Sequence, residues 1–134
     1  MTPEEIKHRA AGSLIERMGI EWEYANHGEA AGYLSVTPEH LAPNGYLHAA
    51  TVVALADSAC GFGCLVSLPE GARSFTTIEL KSNFLGTVTS GNISCVAKLV
   101  HGGRTTQIWD AVVSNDRHKE IALFRCTQIL LYSE

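Results

Sequence analysis

The longest apolar stretch of the chain, LHAATVVALADSACGFGCLVSL from Leu47 to Leu68, puts hydrophobic or small side chains on nearly every side of a helix. A helix of about residues 47 to 67 is expected, ended by Pro69 and Gly71 and enclosed by protein. An earlier helix is signalled by Thr2, Pro3 and Glu5, which supply an N-cap, a proline at the first helical position and a capping-box acid. It should run to about Met18 and stop at Gly19. IEWEYAN and AAGYLSVT then flank His27-Gly28-Glu29, and their Trp, Tyr, Ile and Val content suits a hairpin. PEHLAPNGYLH, with two prolines and an Asn-Gly, reads as the loop that feeds the central helix.

After that helix the period changes to two. FTTIELKSNFL, NISCVAKLV, TTQIWDAVVS and KEIALFRCTQILLY are separated by GTVTSG, HGGR and NDRH, the short polar connections of an antiparallel meander. In the first of these strands Ile78, Leu80 and Phe84 fall on one face, and Thr77, Glu79, Lys81 and Asn83 on the other. The order α-β-β-α-β-β-β-β runs through residues 1–134 as one domain without linker or repeat. One apolar helix beside long antiparallel strands packs most simply inside a curled sheet. The expectation is therefore α+β, a sheet of five or six strands wrapped around a long central helix. Its free edges favour a homo-oligomer in which the sheet continues into a second copy.

Composition narrows the partners. The 134 residues are 46% hydrophobic and 18% charged with a net charge of −4, and the ten Lys and Arg are scattered, which argues against nucleic acid. MTPEEIKHRA has no apolar leader region, so a cytosolic (cytoplasmic) protein is expected. Residues 47 to 68 are long enough to raise a membrane span. Asp57 at the middle would cost about 2.5 to 3.5 kcal/mol, so no membrane partner is expected. Cys60, Cys64, Cys95 and Cys126 form no CxxC pair and read as small core hydrophobes, not as metal ligands.

Asp57 is the one Asp, Glu, Lys or Arg between Glu39 and Glu70. Desolvating a carboxylate in such surroundings is expensive, which makes it the first candidate for chemistry. The stretch from Leu47 to Ala59, with His48 nine residues before Asp57, resembles the hotdog-fold acyl-CoA thioesterases of the phenylacetate-degradation type. Thr77-Ile78-Glu79-Leu80-Lys81-Ser82-Asn83-Phe84-Leu85 is similar to the strand that follows the helix in that family. The resemblance implies thioester hydrolysis, with coenzyme A entering as part of the substrate and no separate cofactor or metal. It also implies a dimer or dimer of dimers with active sites between subunits.

Within the resemblance, Asp57 is the base or the nucleophile and the backbone N–H of Ala49 is the oxyanion donor. Thr77 holds water, or Thr76 does if the register slips by one. His48 more naturally holds the loop than acts as a base. Two positions depart from the pattern: the family's Gly-Gly is Ala49-Ala50 here, and its loop amide falls on Ala42, with Asn44 as the nearby replacement. For the phosphates of coenzyme A the candidates are Arg104, then Lys81 and Arg73, each also readable as an ordinary solvated charge.

If His48 and Asp57 are both helical, nine steps of about 100° set them on opposite sides of the axis and about 13 Å apart. One helix therefore cannot bring both to one carbonyl; a second copy of the chain could supply the other half, as the resemblance implies, so the site should combine Ala49 of one subunit with Asp57 of another. Gly61 and Gly63 cost helix stability and suggest close approach by a neighbouring backbone or a ligand. Two other functions fit the same scaffold less well. A hydratase or dehydratase would show an Asp five residues before a His or a His-Phe-Pro-Gly loop, and neither occurs. A non-catalytic acyl-CoA binding module would use the pocket while Ala42, Ala49 and Ala50 weaken catalysis.

Overall fold

The computed structural model describes residues 1–133. Its elements are α1 (Pro3–Ala10), α2 (Leu14–Arg17), β1 (Glu21–Asn26), β2 (Glu29–Ser35), a 3-10 turn (Pro38–His40), α3 (Ala49–Leu65), β3 (Ser74–Phe84), β4 (Asn92–Gly102), β5 (Thr106–Ser114) and β6 (Glu120–Leu131). The six strands make one antiparallel sheet in the order β1-β2-β4-β5-β6-β3, curled around α3. This is the hotdog arrangement of the α+β class.

Several expectations need correction. The capping box on Thr2 forms as read, but α1 ends at Ala10 because Gly12 adopts a φ of 78°, and the chain restarts as α2 at Leu14. The last four strands are not one meander: β4, β5 and β6 are, whereas β3 pairs with β6 at the far edge. Here α3 decides the topology. It leaves β2 and carries the chain across the concave face, so β3 starts on the opposite side and β4 must return to pair with β2.

The third correction concerns faces. β3 is bulged at Ile78, since Thr77 opposes Gln128 while Glu79 opposes Thr127. The extra residue flips the phase, so Thr77 shares the concave face with Leu80, Ser82 and Phe84 and not with Lys81 and Asn83.

The core lies between α3 and the concave face, where Leu55, Ala56, Ala59 and Cys60 meet Ile93, Cys95, Trp109, Phe124 and Cys126. The glycines of α3 are explained here. A Cβ on Gly63 would lie 2.5 Å from the Trp109 ring and one on Gly61 3.1 Å from Phe75, so both make room for side chains, not for a backbone or ligand. α3 is also less enclosed than its composition suggests. Val53, Ala54, Asp57, Ser58, Phe62 and Leu65 form a half-exposed stripe, and the edge strand beside it leaves Ile78 56% and Phe84 48% exposed. Among the described residues, no helix is long and apolar enough to cross a membrane.

Candidate active site

The start of α3 is held from below by His40. Its carbonyl accepts the N–H of His48 at 3.0 Å and the hydroxyl of Thr51 at 2.9 Å. Its ring accepts from Thr37 N at 3.0 Å and reaches the Met18 carbonyl at 2.7 Å. His48 is the N-cap of α3, with Nδ1 accepting the N–H of Ala50 at 2.8 Å and its carbonyl that of Thr51 at 3.0 Å. Those bonds satisfy two donors of the first turn. The N–H of Ala49 has no acceptor among the described residues, and Ala49 is exposed. It is thus a free backbone donor at the positive end of a 17-residue helix.

Asp57 lies eight residues further along, about 12 Å up the axis from Ala49. Thr77 Oγ donates to Asp57 Oδ1 at 2.9 Å, and the same hydroxyl lies 2.9 Å from Oε1 of Gln128. The bulge at Ile78 puts Thr77, and not Thr76, on this face. Oδ2 of Asp57 has no partner among the described residues. Burial pushes the Asp57 carboxyl above its ordinary value, and the bond from Thr77 draws it part of the way back. The carboxyl opens on a pocket of 360 Å³ lined by Ile15, Phe62, Leu65 and Phe75, with Arg9 at one side and Ser58 beside Asp57.

The remaining expected residues are more scattered. Asn44 Oδ1 accepts from Tyr46 N at 3.1 Å inside its own turn, which leaves only Nδ2 for any other use. Arg104, in the β4–β5 turn, and Arg73, just before β3, come to the same end of the sheet. There the Tyr132 hydroxyl donates to the Arg104 carbonyl, and the Tyr132 ring packs beside Gly71. Lys81 is separate from them, on the convex face opposite Arg125. The four cysteines are buried free thiols, and among the described residues no group of three or more His, Cys, Asp or Glu side chains could hold a metal ion.

Gln128 escaped the sequence reading. Its signal is there in retrospect: Ala122, Phe124, Cys126 and Leu130 alternate inward along β6, and an amide occupies the inward position between the last two.

A family model described as "Thioesterase superfamily" matches residues 44–122. A 1,4-dihydroxy-2-naphthoyl-CoA hydrolase from Listeria monocytogenes is 32% identical over 114 residues, covering 85% of this chain and 92% of that protein. Among solved structures, a mutant thioesterase PA1618 from Pseudomonas aeruginosa superposes with a TM-score of 0.92 at 26% identity, covering 98% of this chain and 94% of that one. The PaaI protein of the Escherichia coli phenylacetic acid degradation operon gives a TM-score of 0.83 at 21% identity, covering 98% and 96%, and supports the fold.

Proposed function

The chain belongs to the thioesterase superfamily and is a thioester hydrolase, and we propose that its substrate is a small or medium acyl-CoA, aromatic acyl groups included. The observation that carries this reading is the half-buried Asp57 carboxyl, held through Oδ1 by Thr77 and lining a largely apolar pocket. Oδ2 takes a proton from water as the hydroxide adds to the thioester carbonyl, and the N–H of Ala49 receives the oxyanion. Collapse breaks the C–S bond, and the thiolate of coenzyme A leaves with the proton from Asp57. The same carboxylate placed against the carbonyl carbon would instead form an anhydride that water opens. Thr77 supports the first route as the holder of Asp57, since its hydroxyl faces the carboxylate and Gln128.

Ala49 and Asp57 are too far apart along one helix to serve one carbonyl, so each site takes one of them from a partner subunit. The exposed apolar edge of β3 supports the pairing, and two contacts tie its ends to the two half-sites. Thr77 stands beside Asp57, and the Thr87 hydroxyl oxygen accepts the N–H of Leu47 at 3.1 Å. Ser82 is midway between these threonines in sequence. A two-fold axis near Ser82 between antiparallel copies of β3 carries the Thr77 end of one toward the Thr87 end of the other. Asp57 then faces Ala49 of the partner subunit. Ile15, Phe62, Leu65 and Phe75 suit an acyl chain or ring, and Arg73 and Arg104 are the proposed contacts for the phosphates of coenzyme A.

Release of free thiol from a panel of aliphatic and aromatic acyl-CoAs tests the reading. Turnover by the parent and its loss in Asp57→Asn with acyl-CoA binding retained is the expected result. Equal turnover by Asp57→Asn overturns it.

A further inference from the structure

The Thr77 hydroxyl has one proton and two oxygens to give it to, Asp57 Oδ1 and Gln128 Oε1, each at 2.9 Å. Behind it, Gln128 is fully buried and its Nε2 lies 3.4 Å from Cys126 Sγ, also buried. The row Asp57–Thr77–Gln128–Cys126 can be satisfied in two ways. With Asp57 neutral, its O–H donates to Thr77 Oγ, Thr77 donates to Gln128 Oε1, and Gln128 Nε2 donates to Cys126 Sγ. With Asp57 ionised, the carboxylate can only accept, so Thr77 must donate to it and has lone pairs alone to offer Gln128. A half-turn of the amide then restores the row in reverse: Cys126 S–H to Oε1, Nε2–H to Thr77 Oγ, Thr77 O–H to Oδ1. An amide is the side-chain group that serves both directions without changing its own charge.

We propose that Gln128 is a positioning residue for Asp57, whose amide reverses with the protonation state of the carboxyl and so keeps the Thr77 proton committed to the carboxylate when Asp57 is ionised. The inference rests on the assignment of Asp57 as the reacting group, but the hydrogen-bond row exists without substrate. The ionised state gains more from it, because bonds to a charged group are about twice as strong as neutral ones. Removal of the amide therefore weakens the carboxylate more than the acid. The titratable groups that face this row are Arg9 of α1 across the pocket, Cys60 and Cys64 of α3 and Cys95 of β4. Burial pushes the Cys95 thiol up to about 12, and Cys60 is raised well above the ordinary thiol value by the adjoining Cys126 and by burial, so both remain neutral while Asp57 titrates.

The test is a carbon NMR titration of the Asp57 carboxyl in the parent, Gln128→Met, Thr77→Val and the double variant, all without substrate. Gln128→Met is expected to raise the midpoint by about half to one unit, and to add nothing once Thr77 is Val. In pH profiles of benzoyl-CoA hydrolysis the acid limb should follow, with kcat falling and KM unchanged. In the parent, the Gln128 side-chain N–H resonances should titrate with the Asp57 midpoint, a readout that needs no variant to fold. An unchanged midpoint in Gln128→Met, a shift that adds fully to that of Thr77→Val, or Gln128 resonances indifferent to Asp57 would each overturn the proposal. Turnover that survives in Asp57→Asn would instead remove the functional reading and leave the titration result standing.

Discussion

At the scale of single residues, Asp57 combines its proposed chemistry with a cost to the fold. Burial raises its pKa above the value of 3.8 that an unfolded chain shows, so the folded state favours the protonated acid. Stability is then fully present below about pH 4 and falls as pH rises through the folded pKa. Asp57→Asn should accordingly melt higher than the parent at neutral pH, with the gap closing toward pH 4 in thermal scans, while turnover drops by about 10²- to 10⁴-fold. Ala49 admits an unusually clean substitution. Proline at the first helical position removes one N–H, its φ suits a helix, and His48 before it already has the extended ψ of 136° that proline prefers. Ala49→Pro should fold normally by circular dichroism yet lose about 10²- to 10³-fold in kcat. The half-buried, pocket-lining position of Asp57 was legible in the sequence because a lone charge in an apolar run stands out. Gln128 was not, because its importance depends on a register that only the folded sheet defines.

At the scale of elements, local signals were read where local forces decide. The Thr2 capping box, the hairpin around Gly28 and the three-strand run β4–β5–β6 all follow from turn chemistry and alternation. The position of β3 does not, since nothing within its own eleven residues tells it to pair with β6 in preference to β4. The Ile78 bulge is equally silent in the alternation, yet it turns Thr77 toward Asp57. The glycines of α3 belong to the same class of fact. Gly63 is small because Trp109 fills the space, so Gly63→Ala should cost about 1 to 3 kcal/mol in denaturant unfolding despite the better helix propensity of alanine. Unaltered stability would mean that the ring can move aside.

At the scale of the whole molecule, the half-exposed stripe of α3 and the apolar edge of β3 lie together, and the free donor at Ala49 is remote from the carboxyl it should assist. On the proposed mechanism a single copy presents two half-sites. A charge on the edge should separate the copies: Ile78→Lys, on a residue 56% exposed, should change monomer stability by about 0.5 kcal/mol or less, halve the mass in sedimentation and abolish turnover. The most direct test of the shared site mixes two inactive proteins. Asp57→Asn retains the Ala49 donor and Ala49→Pro retains the Asp57 carboxyl, so each mixed dimer rebuilds one complete site. After unfolding and corefolding at equal amounts, half of the dimers are mixed and the mixture should recover about a quarter of the parent turnover. Recovery no greater than the sum of the two variants alone would contradict a site built across two chains.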